Sequence, residues 1–457
     1  MRVLLLNGAV GPDPLLDELA ARLREQFEHS GATVDTVLLR IEQIAWCQGC
    51  FECWTTSPGV CKINDVGRDL AREFVQADAV VLLTPSRFGS VSSEIKKLLD
   101  RTIGMLLPFF RNVGGETHHP PRYDHRPSLG VLAVLDHPDL DEETTLRVLA
   151  DRIAVNFSAP VHHTEVIARH STPGVSLAAC DTLCDTLCDT LVDALCAVPA
   201  TSRDVLAHPD ALLPAMARMD SGVRPTQALL LIGSAKPRGR STSEALGMAL
   251  LERLALHGVS GQLSHVHRDA HDAAGLAELV AAMREVDLLV LATPVYVDSL
   301  PSLLTAALEA IADDRRRAPT PRPLMVTMLV NCGFPEARQA SVARTIGALF
   351  ARDAQACWAG ALQLGEGGMI DGRAIDGTNP LLDRLSPLLD DAAASLARGE
   401  RLTDVAVQGF QQPLMPRLAY AVAADAGWLW TAAHAGAVTR LWQRPAETDP
   451  RLEGSEP

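Results

Sequence analysis

Four cysteines are the first residues in this chain whose types and spacing suggest chemistry. Cys47, Cys50, Cys53 and Cys61 follow the pattern C-x2-C-x2-C-x7-C within CQGCFECW and PGVC. Soft thiolates on one glycine-containing loop suit iron and can wrap a single cubane. Zinc is better served by two separated pairs, and a redox-active thiol or disulfide pair is a third use of the same residues. A second set lies in the segment GSAKPRGRST, residues 233–242. Its Ser234, Lys236, Arg238, Arg240, Ser241 and Thr242 bring hydroxyls and cations to the start of a helix, an anion site suited to a phosphate. The order matches neither the Walker nor the dinucleotide glycine pattern, so a phosphomonoester fits better than a triphosphate or pyrophosphate. Plain helix capping would use the same residues. Pro294, Val295 and Tyr296 form a loop in which proline sets a rigid turn and the tyrosine can stack on a flat ring. Asn331, Cys332 and Gly333 form another, where Gly333 permits close backbone approach. Cys332 reads as a small buried residue before it reads as a ligand contact.

The elements that must position these loops form a diverged internal repeat. Residues 77–85, ADAVVLLTP, are echoed by 286–294, VDLLVLATP, and residues 3–8 by 229–233. Each copy has an apolar strand, a glycine loop and an amphipathic helix, then a later apolar strand and a Thr-Pro loop. That alternation means βαβ units and a parallel sheet. Strands are predicted at 2–6, 33–39, 79–83, 129–135 and near 161–167, and again at 228–232, near 262–265, 288–291, 324–330 and near 358–362. Helices are predicted at 15–29, 66–75, from 93, and 142–155, then at 242–257, 274–284, 303–312 and 336–351. The implied fold is α/β: two doubly wound five-stranded parallel sheets of order 2-1-3-4-5 in tandem, with ligands beyond the carboxyl ends of the strands. Gly8 to Thr84 spans 76 positions and Gly233 to Thr293 spans 60, so the first copy has 16 extra residues where its cysteines lie. The expected domains are 1–197, a linker 198–224, 225–400, and a helical tail 401–457.

The 457 residues are 47% hydrophobic and 21% charged, the balance of a packed globular protein. A net charge of −15 argues against binding nucleic acid through its phosphates. The first apolar run stops at Asn7-Gly8, too short for an export signal. Residues 419–438 contain Asp425, Gly427 and His434 and read as two short packed helices rather than a membrane span. A cytoplasmic location is expected, where cysteines serve metal, redox or burial more than structural disulfides. Cys180, Cys184 and Cys188 repeat a four-residue unit. They read as one face of an amphipathic helix, with a soft-metal site as the alternative.

The loops GSAKPRGRST, TPVYVDSLP and NCGFPEA, together with GEGGMI at 365–370, resemble the NADPH-dependent FMN reductase branch of the flavodoxin-like superfamily. The resemblance covers most of residues 227–445. It implies FMN, with its phosphate on the first loop and its ring against Pro294, Val295, Tyr296, Asn331, Cys332 and Gly333. NAD(P)H is the implied reductant, and the acceptor is a small molecule or a protein. The first copy is similar in another way. Its four-Cys loop, Thr84-Pro85-Ser86-Arg87-Phe88-Gly89-Ser90, and the segments at 115–119 and 122–123 resemble iron–sulfur flavoproteins, which implies a 4Fe–4S cluster on Cys47, Cys50, Cys53 and Cys61. The resemblance assigns Thr84 to Gly89 to cofactor contact. It departs at residues 8–14, GAVGPDP, which lack hydroxyl and cation and contain Asp13, so flavin binding in this half is not expected. Such proteins form dimers, and the tandem is expected to act as an internal pseudo-dimer, with further homo-oligomers open. No residue stands out as a required catalytic acid or base. An electron-transfer or redox-sensing module without its own substrate is the alternative reading, and a first copy that merely shields the second is another.

Overall fold

The computed structural model describes residues 1–169, 181–196, 224–375 and 378–447, and of 181–187 the backbone alone. The chain divides into two compact units, Met1–Ala207 with Val422–Pro457, and His208–Ala421.

In the first unit β1 (Arg2–Asn7), β2 (Thr33–Leu38), β3 (Ala79–Arg87), β4 (Ser128–Leu135) and β5 (His162–Ala168) form a parallel sheet of order β2-β1-β3-β4-β5. The central strands are apolar on both faces and buried over 79–83 and 129–135, as a sheet covered by helices on both sides requires. Val3 pairs with Ala79, and Leu83 with Leu132, in continuous register. Helices α1 (Pro14–His29), α2 (Val66–Gln76), α3 (Ser93–Leu99), α4 (Leu140–Phe157) and α5 (Asp181–Cys196) connect and flank these strands. Strand β3 runs through Pro85 to Arg87, beyond its expected end, because a short strand Ser90–Val91 folds back onto it. Cys188 is fully buried in this core with Leu191, Val192 and Leu195, as the amphipathic-helix reading of the cysteine repeat expects. The repeat's other positions, Cys180 and the Cys184 side chain, lie outside the described residues, as does the linker up to residue 223.

The second unit repeats the plan. Strands β6 (Gln227–Ile232), β7 (Ser260–His265), β8 (Leu288–Pro294), β9 (Met325–Asn331) and β10 (Cys357–Leu364) are ordered β7-β6-β8-β9-β10. Helices α6 (Thr242–Leu256), α7 (Ala273–Met283), α8 (Ser302–Arg317), α9 (Ser341–Asp353), α10 (Leu385–Ala397) and α11 (Asp404–Gln411) complete it. The helix expected at 336–351 is broken: Ala337–Ala340 forms a 3-10 turn before α9 begins.

The expected two short helices at 419–438 are one, α12 (Arg417–His434), followed by a 3-10 turn at Val438–Arg440. Gly427 sits inside α12, and the break comes at Gly436, whose φ of +63° ends the helix. The helix begins in the second unit, while everything from Val422 belongs to the first. Among the described residues no helix is long and apolar enough to cross a membrane.

Candidate active site

Between β2 and α2 the first copy has 27 residues, where the second has seven between β7 and α7. This surplus is the thiol loop. Gly49, with φ +58°, turns the chain between Cys47 and Cys50, and the left-handed Phe51 starts the single helical turn Glu52–Thr55. All four thiols are free and line one recess, with Asp100, Arg101 and Ile103 on its far wall.

Arg101 staples the loop shut. It is 3% exposed, and its Nε–H donates to Cys61 Sγ at 3.2 Å. Its terminal nitrogens grip Asp65 at 2.7 and 3.0 Å and the carbonyls of Ala45 and Ile63. Burial pushes the Asp65 carboxyl up, but Arg101 and the Ala45 N–H outweigh it and hold that group below its usual range. Gly49 N–H donates to Cys47 Sγ at 3.5 Å, and Lys62 stands beside Cys50. Burial pushes the Cys47 thiol up to about 12, with the Asp100 carboxylate adding to it. Burial pushes up Cys53 as well, beside the other three thiols. Burial outweighs the Arg122 cation near Cys53, so both stay protonated and are poor nucleophiles at neutral pH.

Among the described residues no three His, Cys, Asp or Glu side chains converge as ligands of one ion do. A zinc ion demands that convergence, with each sulfur about 2.3 Å away. A cubane presents four separate irons and asks instead for four thiols around a common recess. Four sulfurs line the recess, with an N–H beside Cys47, a cation beside Cys50 and another beside Cys61. The recess measures about 20 Å³, roughly one water's room.

An aromatic cluster within the first unit covers the loop. Phe51 stacks on Trp54 at 5.1 Å, and Trp428 of the tail meets both rings at 5.4 and 5.2 Å. Trp54 donates to the Ile103 carbonyl and packs on His119 at 4.6 Å. Burial pushes His119 down to about 4, against about 6.5 for a free imidazole. Its folded value lies below its unfolded one, so the unfolded chain takes up the proton first. Stability from this group is therefore whole above about pH 6.5 and is lost as pH falls toward 4. His119 is only half-buried, and with solvent screening the loss is on the order of 1–2 kcal/mol. Urea melts across that window should show it in the native chain and lack it in His119→Phe. His118 lies apart, buried between Asn156 (3.0 Å) and Glu116, which holds Arg152. Tyr123 accepts from the Ala446 N–H.

In the second unit the ligand loops meet at the carboxyl edge of the sheet. Gly233 N–H donates to the Ala292 carbonyl, Val295 N–H to the Asn331 carbonyl, and Ser243 Oγ to Asn331 Oδ1 at 2.8 Å. Ser241 caps α6 by accepting from Glu244 N–H. Ser234 is buried and accepts from Lys236 N–H; Arg238 and Arg240 are exposed. The N–H groups of Thr242 and Ser243 make no hydrogen bond among the described residues. Thr242 turns its hydroxyl to the Gly367 carbonyl at 2.6 Å and accepts from Asp371 N–H, so it ties in the loop after β10 rather than facing open space. Lys236 meets Asp371, and Gly239 N–H meets Glu244. Tyr296 closes a turn with Ser299 whose central residues, Val297 and Asp298, are both left-handed at φ +44° and +57°. A β-branched residue there is strained, as at many functional loops. The first copy has the same turn at Phe88 and Gly89, with φ +59° and +69°. Cys332 is 3% exposed, and Tyr420 donates to the Gly333 carbonyl at 2.7 Å. Sequence reasoning missed Glu366, fully buried, which accepts from the Leu414 and Met415 N–H groups and is pushed up by burial.

The first copy's equivalent loop is closed. Asp13 caps α1 and is paired with Arg169, which also meets Asp136 at 3.4 Å. Thr84, fully buried, donates to the Pro85 carbonyl and accepts from Ser92 N–H, while Arg87 lies over the Phe88 ring. Ser86 is buried with its hydroxyl unbonded.

Two flavodoxin-like sheets with these carboxyl-edge loops define a flavin oxidoreductase. The NADPH-dependent FMN reductase profile matches residues 1–113 and 226–358, just over half of the chain, and the chain belongs to that family as a tandem member. It is 24% identical over 182 residues to an iron-sulfur flavoprotein of Methanocaldococcus jannaschii, covering 40% of this chain and 86% of that protein. It is 29% identical over 102 residues to an iron-sulfur flavoprotein of Archaeoglobus fulgidus, covering 22% of this chain and about half of that protein's length, 49%. The solved NAD(P)H:quinone oxidoreductase from Methanothermobacter marburgensis aligns over 43% of this chain and 97% of its own at 15% identity, TM-score 0.34.

Proposed function

We propose that the second copy holds FMN, is reduced by NAD(P)H and passes electrons to a small-molecule or protein acceptor, and that the thiol loop of the first copy holds a 4Fe–4S cluster. The junction of the loops at Gly233–Ala292, Val295–Asn331 and Ser243–Asn331 carries the flavin assignment. Bound FMN supplies the hydride and electron chemistry. The chain supplies the site. The unbonded N–H groups of Thr242 and Ser243 and the positive end of α6 receive the phosphate, with Ser234, Ser241, Lys236, Arg238 and Arg240 around it. Pro294, Val295, Tyr296, Asn331, Cys332 and Gly333 orient the ring. Thr242 holds the covering loop in place. With Asp13 and Arg169 closing its phosphate position, the Thr84–Gly89 loop has no flavin of its own.

Cys47, Cys50, Cys53 and Cys61 are the cluster ligands. Arg101 and Lys62 offset its negative charge and donate toward sulfur. The anaerobic absorption spectrum tests this. Flavin bands that bleach with NAD(P)H, plus a broad cluster band lost in Cys50→Ser and Cys61→Ser, are expected. Colourless protein that takes up no FMN ends the flavin assignment; flavin bands with no iron or sulfide end the cluster assignment alone.

A further inference from the structure

Beside the thiol recess, within the first unit, lies a separate cavity of about 120 Å³. At roughly 10–15 Å³ for each water it has room for several waters or a small organic ion. Arg68, Arg72 and Arg101 line it, and no acidic side chain does. On a chain of net charge −15 that lining is unlike the bulk surface. Arg101 is spent on Asp65 and Cys61. Arg68 and Arg72 stand four apart on α2, a spacing at which like charges repel. Arg72 has a partial counterion in the exposed Asp69 at 3.2 Å. Arg68 donates to the Lys62 carbonyl, while its Nε–H is buried with no partner. An anion in the cavity relieves the repulsion between the two guanidinium groups. Val60, Val75, Met105, Pro445 and Ala446 form apolar walls, and Tyr123 lines the same space.

We propose that this cavity binds a small carboxylate with an apolar body, the carboxylate on Arg68 and Arg72 and the body against Val75 and Met105. A bare phosphate would satisfy the arginines but leave the walls without contact. The site stands on its own residues, whatever the four thiols hold, although Cys61 lines both spaces.

Calorimetric titration of the full chain with benzoate, acetate, benzamide and inorganic phosphate tests it. Benzoate should bind at least about tenfold more tightly than acetate, which lacks the body, and than benzamide, which lacks the charge. Arg68→Gln/Arg72→Gln should weaken benzoate by about tenfold or more with little change in Tm. Ala71→Phe, which fills the cavity and keeps both cations, should abolish it and decides the matter if the double variant fails to fold. Equal binding of benzoate and benzamide, phosphate binding more tightly than benzoate, no benzoate binding, or binding unmoved by Ala71→Phe would each overturn the assignment.

Discussion

Ser241→Asp should weaken FMN binding by about 100-fold while leaving the second unit folded. Ser241 caps α6 through its side chain, and aspartate is an equally good cap, so the helix keeps its first turn. What changes is the charge. A carboxylate at the mouth of a phosphate site, about 6 Å from a dianion at an effective dielectric of about 40, costs on the order of 3 kcal/mol. That is a factor of about 100 in affinity. The first copy already carries this arrangement. Asp13 occupies the corresponding cap on α1, and burial, which raises its pKa, is outweighed by Arg169 and the Leu16 N–H, which hold it ionised. Titration of flavin fluorescence measures the effect. Riboflavin, which lacks the phosphate, should bind both proteins alike. If FMN loses nothing in Ser241→Asp, the phosphate does not lie at this helix and the proposed orientation is wrong.

Much of this architecture is readable from sequence because its strands are buried on both faces. Runs such as LLVLATP and AVVLLTP leave little choice of secondary structure, and their recurrence orders the two sheets. The thiol loop was legible for a different reason: four cysteines in 15 residues are a chemical signal that needs no knowledge of packing. Long-range contacts were not legible. Arg101 reaches Cys61 across 40 residues and Asp65 across 36, and its sequence neighbourhood gives no hint of either. Thr242 looked like a phosphate ligand from its place at a helix start; only the fold shows its hydroxyl already spent on Gly367. The tail misled through adjacency. Following the second copy in sequence, it was read with that copy, whereas Trp428, Leu441 and Pro445 pack in the first unit.

Divergence between the copies follows from where charge was placed. In the second, the loop after the first strand has hydroxyls and cations and the insert is absent. In the first, that loop is neutralised from within by Asp13, Arg169 and Asp136, and the cations gather instead around the insert. Arg101 and Lys62 touch its thiols, and Arg68 and Arg72 face the cavity behind it.

Arg122→Met should destabilise the first unit by about 3–5 kcal/mol and release its tail. Arg122 is 2% exposed, and its partners are backbone carbonyls alone: Gly104 at 2.7 Å, Leu106 at 3.3 Å, Leu441 at 2.5 Å and Gln443 at 3.1 Å. Two of these lie 319 and 321 residues away, so one side chain fastens the end of the chain to the loop behind the thiols. Methionine fills much of the volume but donates nothing. Three buried acceptors, with the part-buried Gln443 carbonyl beside them, lose their donor at about 1–3 kcal/mol for each buried one, reduced where the freed tail lets water in. Burial presses the guanidinium pKa down, while negative charge on Tyr123 or Cys53 would favour the cation. The residue is therefore coupled to the thiol loop as well as to the tail. Gly59 shows how close that packing is: a Cβ there would lie 2.7 Å from Pro445 and 3.3 Å from Arg122, and its φ of +84° already excludes most side chains. Urea unfolding followed by Trp fluorescence should report the loss, since Trp428 of the tail meets Trp54 edge to face. Limited proteolysis should open the segment from Gly436 to Ala446 in Arg122→Met. Arg122→Lys, with one ammonium in place of the guanidinium fork, should recover only part of the stability. A native-like urea midpoint with an uncut tail in Arg122→Met would show that the aromatic layer holds the tail by itself.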